Sequence, residues 1–183
     1  MASARDAALA RRSSPKVTDA SPTDGELAEL LEAAGRVADH AALAPWRVVA
    51  LRGDARVRLG DALAEASGLE GDAAAKLAGK PLRAPLLVAV VARVTEHPKV
   101  PAWEQEAVAA GVGHLLSLLL DDAGWGVMWR TGPHTRHAAV ARMHGLEGDE
   151  RLLGWLYVGG RPGDERRERR GASAAAGRLR VLA

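Results

Sequence analysis

Arg11-Arg12-Ser13 puts two guanidinium groups and a hydroxyl where a helical stretch, residues 4–12, gives way before Pro15. Guanidinium forks keep their charge and grip phosphate or carboxylate oxygens bidentately, and a serine adds a short neutral donor. Such a group can seat a phosphate; the plain alternative is a solvated helix end. Far downstream, Gly124-Trp125-Gly126-Val127-Met128 leads into Trp129-Arg130-Thr131-Gly132. Its first glycines are spaced as in a dinucleotide fingerprint, but they follow a helix and precede a strand, the reverse of the Rossmann order. Arg36 and Asp39-His40 stand ahead of Pro45-Trp46. A cation and a histidine at a helix C-terminus are also ordinary complements to the helix dipole. The run His97-Pro98-Lys99-Val100-Pro101-Ala102-Trp103-Glu104-Gln105-Glu106 likewise brings acidic residues into a helix's first turn, where the dipole favours them.

Other chemistries drop out. The chain has no cysteine, which removes disulfides, thiolate nucleophiles and thiolate metal sites. His134-x-x-His137 has no acidic ligand nearby and falls in a turn, so no metal is expected. No serine has a G-x-S-x-G context. The formal charge is +2, and the one dense basic cluster, Arg166-Arg167-Glu168-Arg169-Arg170, sits in a Gly- and Ala-rich tail without stacking aromatics. Nucleic-acid binding is therefore not expected. The longest apolar stretch, Leu115 to Leu120, is far short of the roughly 20 residues that cross a bilayer. Met1 to Ala10 lacks the apolar core of a secretory signal. The expectation is a cytoplasmic protein without a membrane segment.

The elements that must position these groups follow from periodicity. At 183 residues one domain with a substantial core is expected. Phe is absent, Tyr157 is the only tyrosine, and five tryptophans supply nearly all the aromatic surface. Thr23 with Glu26 has capping-box spacing and opens a helix whose Leu27, Leu30, Leu31 and Ala34 share one face. Strands are expected over 46–51, 86–92, 127–129 and 151–158, and the 86–92 run has the continuous apolar character of a buried central strand. Helices are expected over 54–66, over 102–122 and over 135–143, with a broken helix over 67–80. The 102–122 helix is apolar all round from Val108 to Leu120, which implies burial on several sides. The class is α+β, with helices around one sheet.

Taken together and in this order, Arg11-Arg12-Ser13, Asp39-His40 with Pro45-Trp46, the His97–Glu106 run and Gly124 to Gly132 resemble the nitroreductase family of FMN flavoproteins, in its small, minimal members. The resemblance covers roughly residues 5–162. It implies a three-layer α/β/α sandwich with a mainly antiparallel sheet, over residues 1–162, followed by a basic Ala-Gly-rich arm over 163–183. It implies a homodimer with FMN at the subunit interface, Arg11 to Ser13 coming from one chain and Trp129 to Thr131 from the other. Arg11 and Ser13 are the phosphate and ribityl positions, Arg12 lies toward the flavin's polar edge, and Lys16 is a candidate for the N1–C2=O edge. Arg36, His40, Trp129, Arg130 and Thr131 are the remaining FMN positions by the same resemblance. Leu119, Leu120, Asp121, Asp122, Ala123 and Gly124 match a segment that relatives use for NAD(P).

The implied activity is NAD(P)H-dependent reduction of nitroaromatics, quinones or similar electron-poor small molecules by ping-pong hydride transfer at flavin N5. No side chain acts as a catalytic nucleophile. Two departures from the family pattern stand out. Pro15 occupies the position of a second basic residue, with Lys16 one place later. Ala42-Leu43-Ala44 replace polar residues before Pro45, and this keeps a second reading open, a flavin-binding carrier or sensor with little turnover.

Overall fold

A computed structural model describes residues 3–163 and 177–182. In chain order the elements are α1 (Ala4–Ala10), α2 (Asp24–Ala34), β1 (Trp46–Leu51), α3 (Asp54–Ser67), α4 (Gly71–Ala78), β2 (Leu86–Arg93), α5 (Ala102–Asp122), β3 (Trp125–Arg130), α6 (Ala138–Met143) and β4 (Glu150–Gly160). The four strands form one sheet, ordered β1-β2-β4-β3, and every neighbouring pair is antiparallel.

Central strand β2 explains the layering. Its side chains alternate, Leu87, Ala89 and Val91 entering one apolar cluster and Leu86, Val88 and Val90 another. A strand covered on both faces needs no polar positions, so it reads as one unbroken apolar run. Leu59 and Leu63 of α3, Leu77 of α4 and Val140 of α6 fill the first cluster. Leu27 of α2 and Val112, Leu116 and Leu120 of α5 fill the second. The result is the expected helix–sheet–helix sandwich. Among the described residues no helix is long and apolar enough to cross a membrane.

Local rules account for several boundaries. Thr23 and Glu26 form the capping box, each side chain accepting the other's backbone N–H at the start of α2. Helix α5 runs over the expected residues, but its burial is one-sided. Val108, Val112, Leu116 and Leu120 are buried, whereas Leu115, Leu118 and Leu119 are half-exposed in the single chain. Strand β3 is longer than expected and begins at Trp125. Gly124 (φ +98°) reverses the chain directly after α5, and Trp125 at once pairs with Gly160. The helix expected over 135–143 divides in two. A 3-10 turn, Pro133–Arg136, precedes α6, because extended His137 interrupts it and accepts the Ala139 N–H through Nδ1. The broken helix over 67–80 resolves into α4, set off by Gly68 (φ +62°) and closed before a 3-10 turn at Lys80–Arg83. The expected arm over 163–183, with its Arg166–Arg170 cluster, lies outside the described residues except for Gly163 and 177–182.

Strand β4 contains one irregularity that bears on the site. Val90 faces Gly154 and Val91 faces Leu152, so Leu153 is an extra residue, a β-bulge.

Candidate functional site

Residues paired directly across antiparallel strands project to the same face. Register pairs Arg130 with Trp155 and Met128 with Tyr157, which puts all four on the α3/α4 face of the sheet. They line a cavity of about 310 Å³, together with Trp129, Thr131, Gly132, Lys80, His134, Leu63 and Leu77. The Arg130 guanidinium carbon lies 5.0 Å above the centre of the Tyr157 ring. Arg130 Nε is buried and has no hydrogen-bond partner among the described residues. A buried donor without an acceptor is costly, and in a native protein it calls for an explanation. Burial pushes the Tyr157 hydroxyl above its ordinary value, with Arg130 and Arg83 opposing. Tyr157 is therefore a neutral hydrogen-bonding group at physiological pH. Lys80, exposed at the mouth, has no ion pair among the described residues.

Two glycines make room for this arrangement. At Gly154 (φ +153°) a Cβ would lie 2.6 Å from Arg130 O, 2.8 Å from Trp129 Nε1 and 2.9 Å from Thr131 Cγ2. The bulge thus lets the end of β3 lie directly on β4. On the other face, a Cβ at Gly113 of α5 would stand 2.2 Å from Trp129 Cζ3. Trp129 borders the cavity, but its indole lies on the α5 face, stacked at 4.9 Å on His114.

The chain that follows the N-terminal group reaches the same face at Val17. Ser14 N donates to Val127 O at 2.9 Å, and Val17 packs into the cluster that holds Met128 and Tyr157. Gly126 and Gly159 permit this, since a Cβ at either would come within 2.8 Å and 2.7 Å of Val17. Ser14, directly after the Arg11–Ser13 segment, thus lies against the middle of β3. The following residues meet the sheet twice, Ser14 at Val127 of β3 and Thr18 at Gly160 of β4. Arg12 is turned back on α1, its Nη1 donating to the carbonyls of Leu9, Ala10 and Arg11 at 3.0, 3.3 and 2.9 Å. Arg11, Ser13 and Lys16 make no side-chain hydrogen bond or ion pair among the described residues.

Arg36 and His40 are not part of this cavity in the single chain. Arg36 follows α2 and is exposed, while His40 lines a separate depression of about 480 Å³ with Val37, Asp39, Glu104 and Val108. There His40 Nδ1 lies 2.8 Å from Glu104 Oε1. The intervening loop holds Ala41, Ala42 and Ala44 at φ of 65°, 52° and 46°, with Ala44 N donating to Asp39 Oδ2 at 2.7 Å. Non-glycine residues in this region carry strain. The His97–Glu106 run is largely explained by structure. His97 Nδ1 accepts the N–H groups of Lys99 and Val100, and buried Gln105 bonds the backbone of Thr95 and Val100.

Of the six residues matched to a dinucleotide segment, Leu120 and Asp121 are buried and Leu119 is half-buried. Asp121 Oδ1 pairs with Arg161 at 2.7 Å. Asp122, Ala123 and Gly124 are exposed beside β3. Lys80, His134, Trp155 and Tyr157 were not evident as site residues from sequence. Three of them carry no local motif, and Tyr157 becomes significant only through its register with Met128.

The fold and the site define a mixed helix and antiparallel-sheet protein with a cationic, aromatic-walled cavity at the end of the sheet. The Nitroreductase family model matches residues 8–160, and the chain belongs to that family. A curated relative, "Putative NAD(P)H nitroreductase YdjA" of Escherichia coli K12, is 33% identical over 152 residues, 81% of this chain and 83% of the relative. A Haemophilus influenzae protein, "Putative NAD(P)H nitroreductase", is 28% identical over 87% of this chain and 88% of its own. The crystal structure of a nitroreductase-like family protein from Bacillus cereus superposes with a TM-score of 0.83 at 23% identity, covering 100% of this chain and 97% of the other.

Proposed function

We propose that the chain binds FMN in the Arg130 cavity and is an NAD(P)H-dependent reductase of electron-poor small molecules such as nitroaromatics and quinones. The observation that carries this reading is Arg130, a cation whose Nε–H is buried without an acceptor among the described residues, on the wall of an open cavity. The relatives' names support it, as does the FMN-dependent nitroreductase NfnB of Mycobacterium smegmatis, solved in complex with NADPH, at a TM-score of 0.72. The residues suit the group. Arg11, Ser13 and Lys16 give unpaired donors at the sheet edge for a phosphate, and Arg130, Lys80 and Tyr157 give donors for a polar ring edge, beside apolar Trp155 and Met128. Bound FMN supplies two-electron transfer between nicotinamide and acceptor, while the chain orients, polarises and shields it. The test is direct. Purified protein absorbs as a flavoprotein, releases FMN and not FAD on denaturation, and consumes NAD(P)H steadily with a nitroaromatic acceptor. A colourless protein that takes up no FMN refutes the reading. Bound FMN without turnover favours a carrier or sensor, which the apolar Ala42-Leu43-Ala44 loop would suit.

The phosphate assignment makes its own prediction. Arg11→Ala weakens FMN binding by roughly ten- to a hundredfold, since a hydrogen bond to a charged group is worth about 1.5–3 kcal/mol. Lys16→Ala changes affinity less and reduction rate more. Equal affinities for Arg11→Ala and wild type, by FMN titration, remove Arg11 from the site.

Arg36 and His40 enter the site in this proposal from a second copy. The half-exposed apolar side of α5, Leu115, Leu118 and Leu119, is the surface for that copy. Flavin held across such an interface stabilises the dimer by mass action. Sedimentation of holo and FMN-stripped protein over a dilution series should show the stripped form dissociating at higher concentration. Holoprotein that is monomeric at micromolar concentration and keeps its flavin overturns the dimer.

A further inference from the structure

Trp155, one wall of the Arg130 cavity, is held from behind by a buried histidine. Its Nε1–H donates to His144 Nε2 at 3.0 Å, and His144 Nδ1 lies 2.8 Å from Val140 O at the end of α6. A carbonyl only accepts, so Nδ1 carries the proton and Nε2 is the bare acceptor; the partners fix the tautomer. Both ring nitrogens are thus committed, in a side chain 7% exposed against an indole 4% exposed. Trp155 pairs directly with Arg130 across the β3–β4 register. The indole wall and the cation are therefore neighbours on one face of the sheet.

We infer that His144 is a positioning residue for the cavity. Its neutral Nε2 holds the Trp155 wall, and a proton taken up there releases the wall and weakens flavin binding. This rests on the reading of the cavity as the FMN site. A protonated Nε2 would face the indole N–H donor to donor, with no other acceptor for either group shown beside them.

The surroundings set when this happens. Burial pushes His144 below its ordinary value of 6.5; the bond to Val140 opposes, and the Arg47 charge adds to the lowering. Arg47, on β1, donates to Gly145 O at 3.2 Å and is itself paired with Glu150 of β4 at 2.6 Å. Glu147 in the following turn is near Arg47 and Glu150. On α6, Arg142 pairs with Glu65 of α3 at 2.6 Å. With the folded value below the unfolded one, the unfolded chain holds more protons in the window between them. Stability and wall are intact above about 6.5 and are lost as pH falls through the folded value.

The experiment compares FMN affinity of the full chain at about pH 7.5 and about pH 5. FMN phosphate also titrates near pH 6, so the reference is His144→Gln, which shares that effect. Glutamine sets an amide oxygen near the Nε2 position and does not titrate. Wild type should lose about tenfold more affinity than His144→Gln over this range, as one unit of linked shift implies. Trp155→Phe, which removes the donor and keeps an aromatic wall, should match His144→Gln and serves if that variant does not fold. Parallel losses in wild type and both variants overturn the inference. If the protein takes up no FMN at about pH 7.5, the flavin reading fails, and the Trp155 indole N–H resonance decides the lock. It should titrate in wild type and stay constant in His144→Gln; identical behaviour in the two overturns it.

Discussion

Gly154→Ala unfolds at a markedly lower urea concentration than wild type and loses FMN uptake. A methyl group there meets Arg130 O, Trp129 Nε1 and Thr131 Cγ2 at 2.6–2.9 Å, and the residue's φ of +153° disfavours any side chain. Backbone strain of this kind costs about 1–3 kcal/mol, and overpacking in a fitted core about 1–3 kcal/mol more. A combined loss of roughly 2–5 kcal/mol is expected, at the high end of single substitutions. The methyl can be accommodated only by lifting β3 from β4 where Arg130 sits, so site and stability fail together. Gly145→Ala is the control. It also has positive φ, +57°, but nothing stands within 4 Å of its Cβ position. It should cost about 1 kcal/mol and leave the cavity intact. If the two variants unfold alike, close packing at the bulge is not what demands glycine at 154.

The contrast between these glycines shows where sequence reasoning reached its limit. An unbroken apolar run located β2, because a two-sided strand needs no polar positions, and a much longer run apolar all round from Val108 to Leu120 located α5. Thr23 and Glu26 announced α2 through a purely local exchange of hydrogen bonds. Arg130 was legible only inside a short motif. Its neighbours in the cavity come from four separate stretches, Leu63, Leu77 with Lys80, the end of β3, and Trp155 with Tyr157. Strand register unites them, and a one-residue slip reverses every side chain. The bulge at Leu153 makes such a slip within β4, and no residue type announces it. The same physics misplaced the start of β3. The Val127 carbonyl that receives Ser14 N–H has no signature in side-chain sequence.

Arg130→Met should separate stability from binding. In wild type the Nε–H is buried without an acceptor among the described residues, and the Tyr157 ring lies 5.0 Å from the guanidinium carbon. Such a ring contact is worth about 0.5–2 kcal/mol. An orphaned donor costs about 1–3 kcal/mol, more when the group is charged. Methionine has nearly the same reach, keeps a favourable contact with the ring and removes the orphan. The FMN-free variant should therefore be more stable than wild type by about 1 kcal/mol, read as a higher urea midpoint with unchanged slope. Its FMN affinity should fall roughly ten- to a hundredfold, because the group that the cation awaits has lost its partner. Trading stability for a poised functional group is a common pattern at binding sites. Arg130→Lys discriminates further. A lysine keeps the charge but not the rigid fork, so it should recover only part of the affinity. A variant in which stability and FMN affinity drop together would make Arg130 a structural cation held by Tyr157. A rise in one with a fall in the other places Arg130 in the binding site.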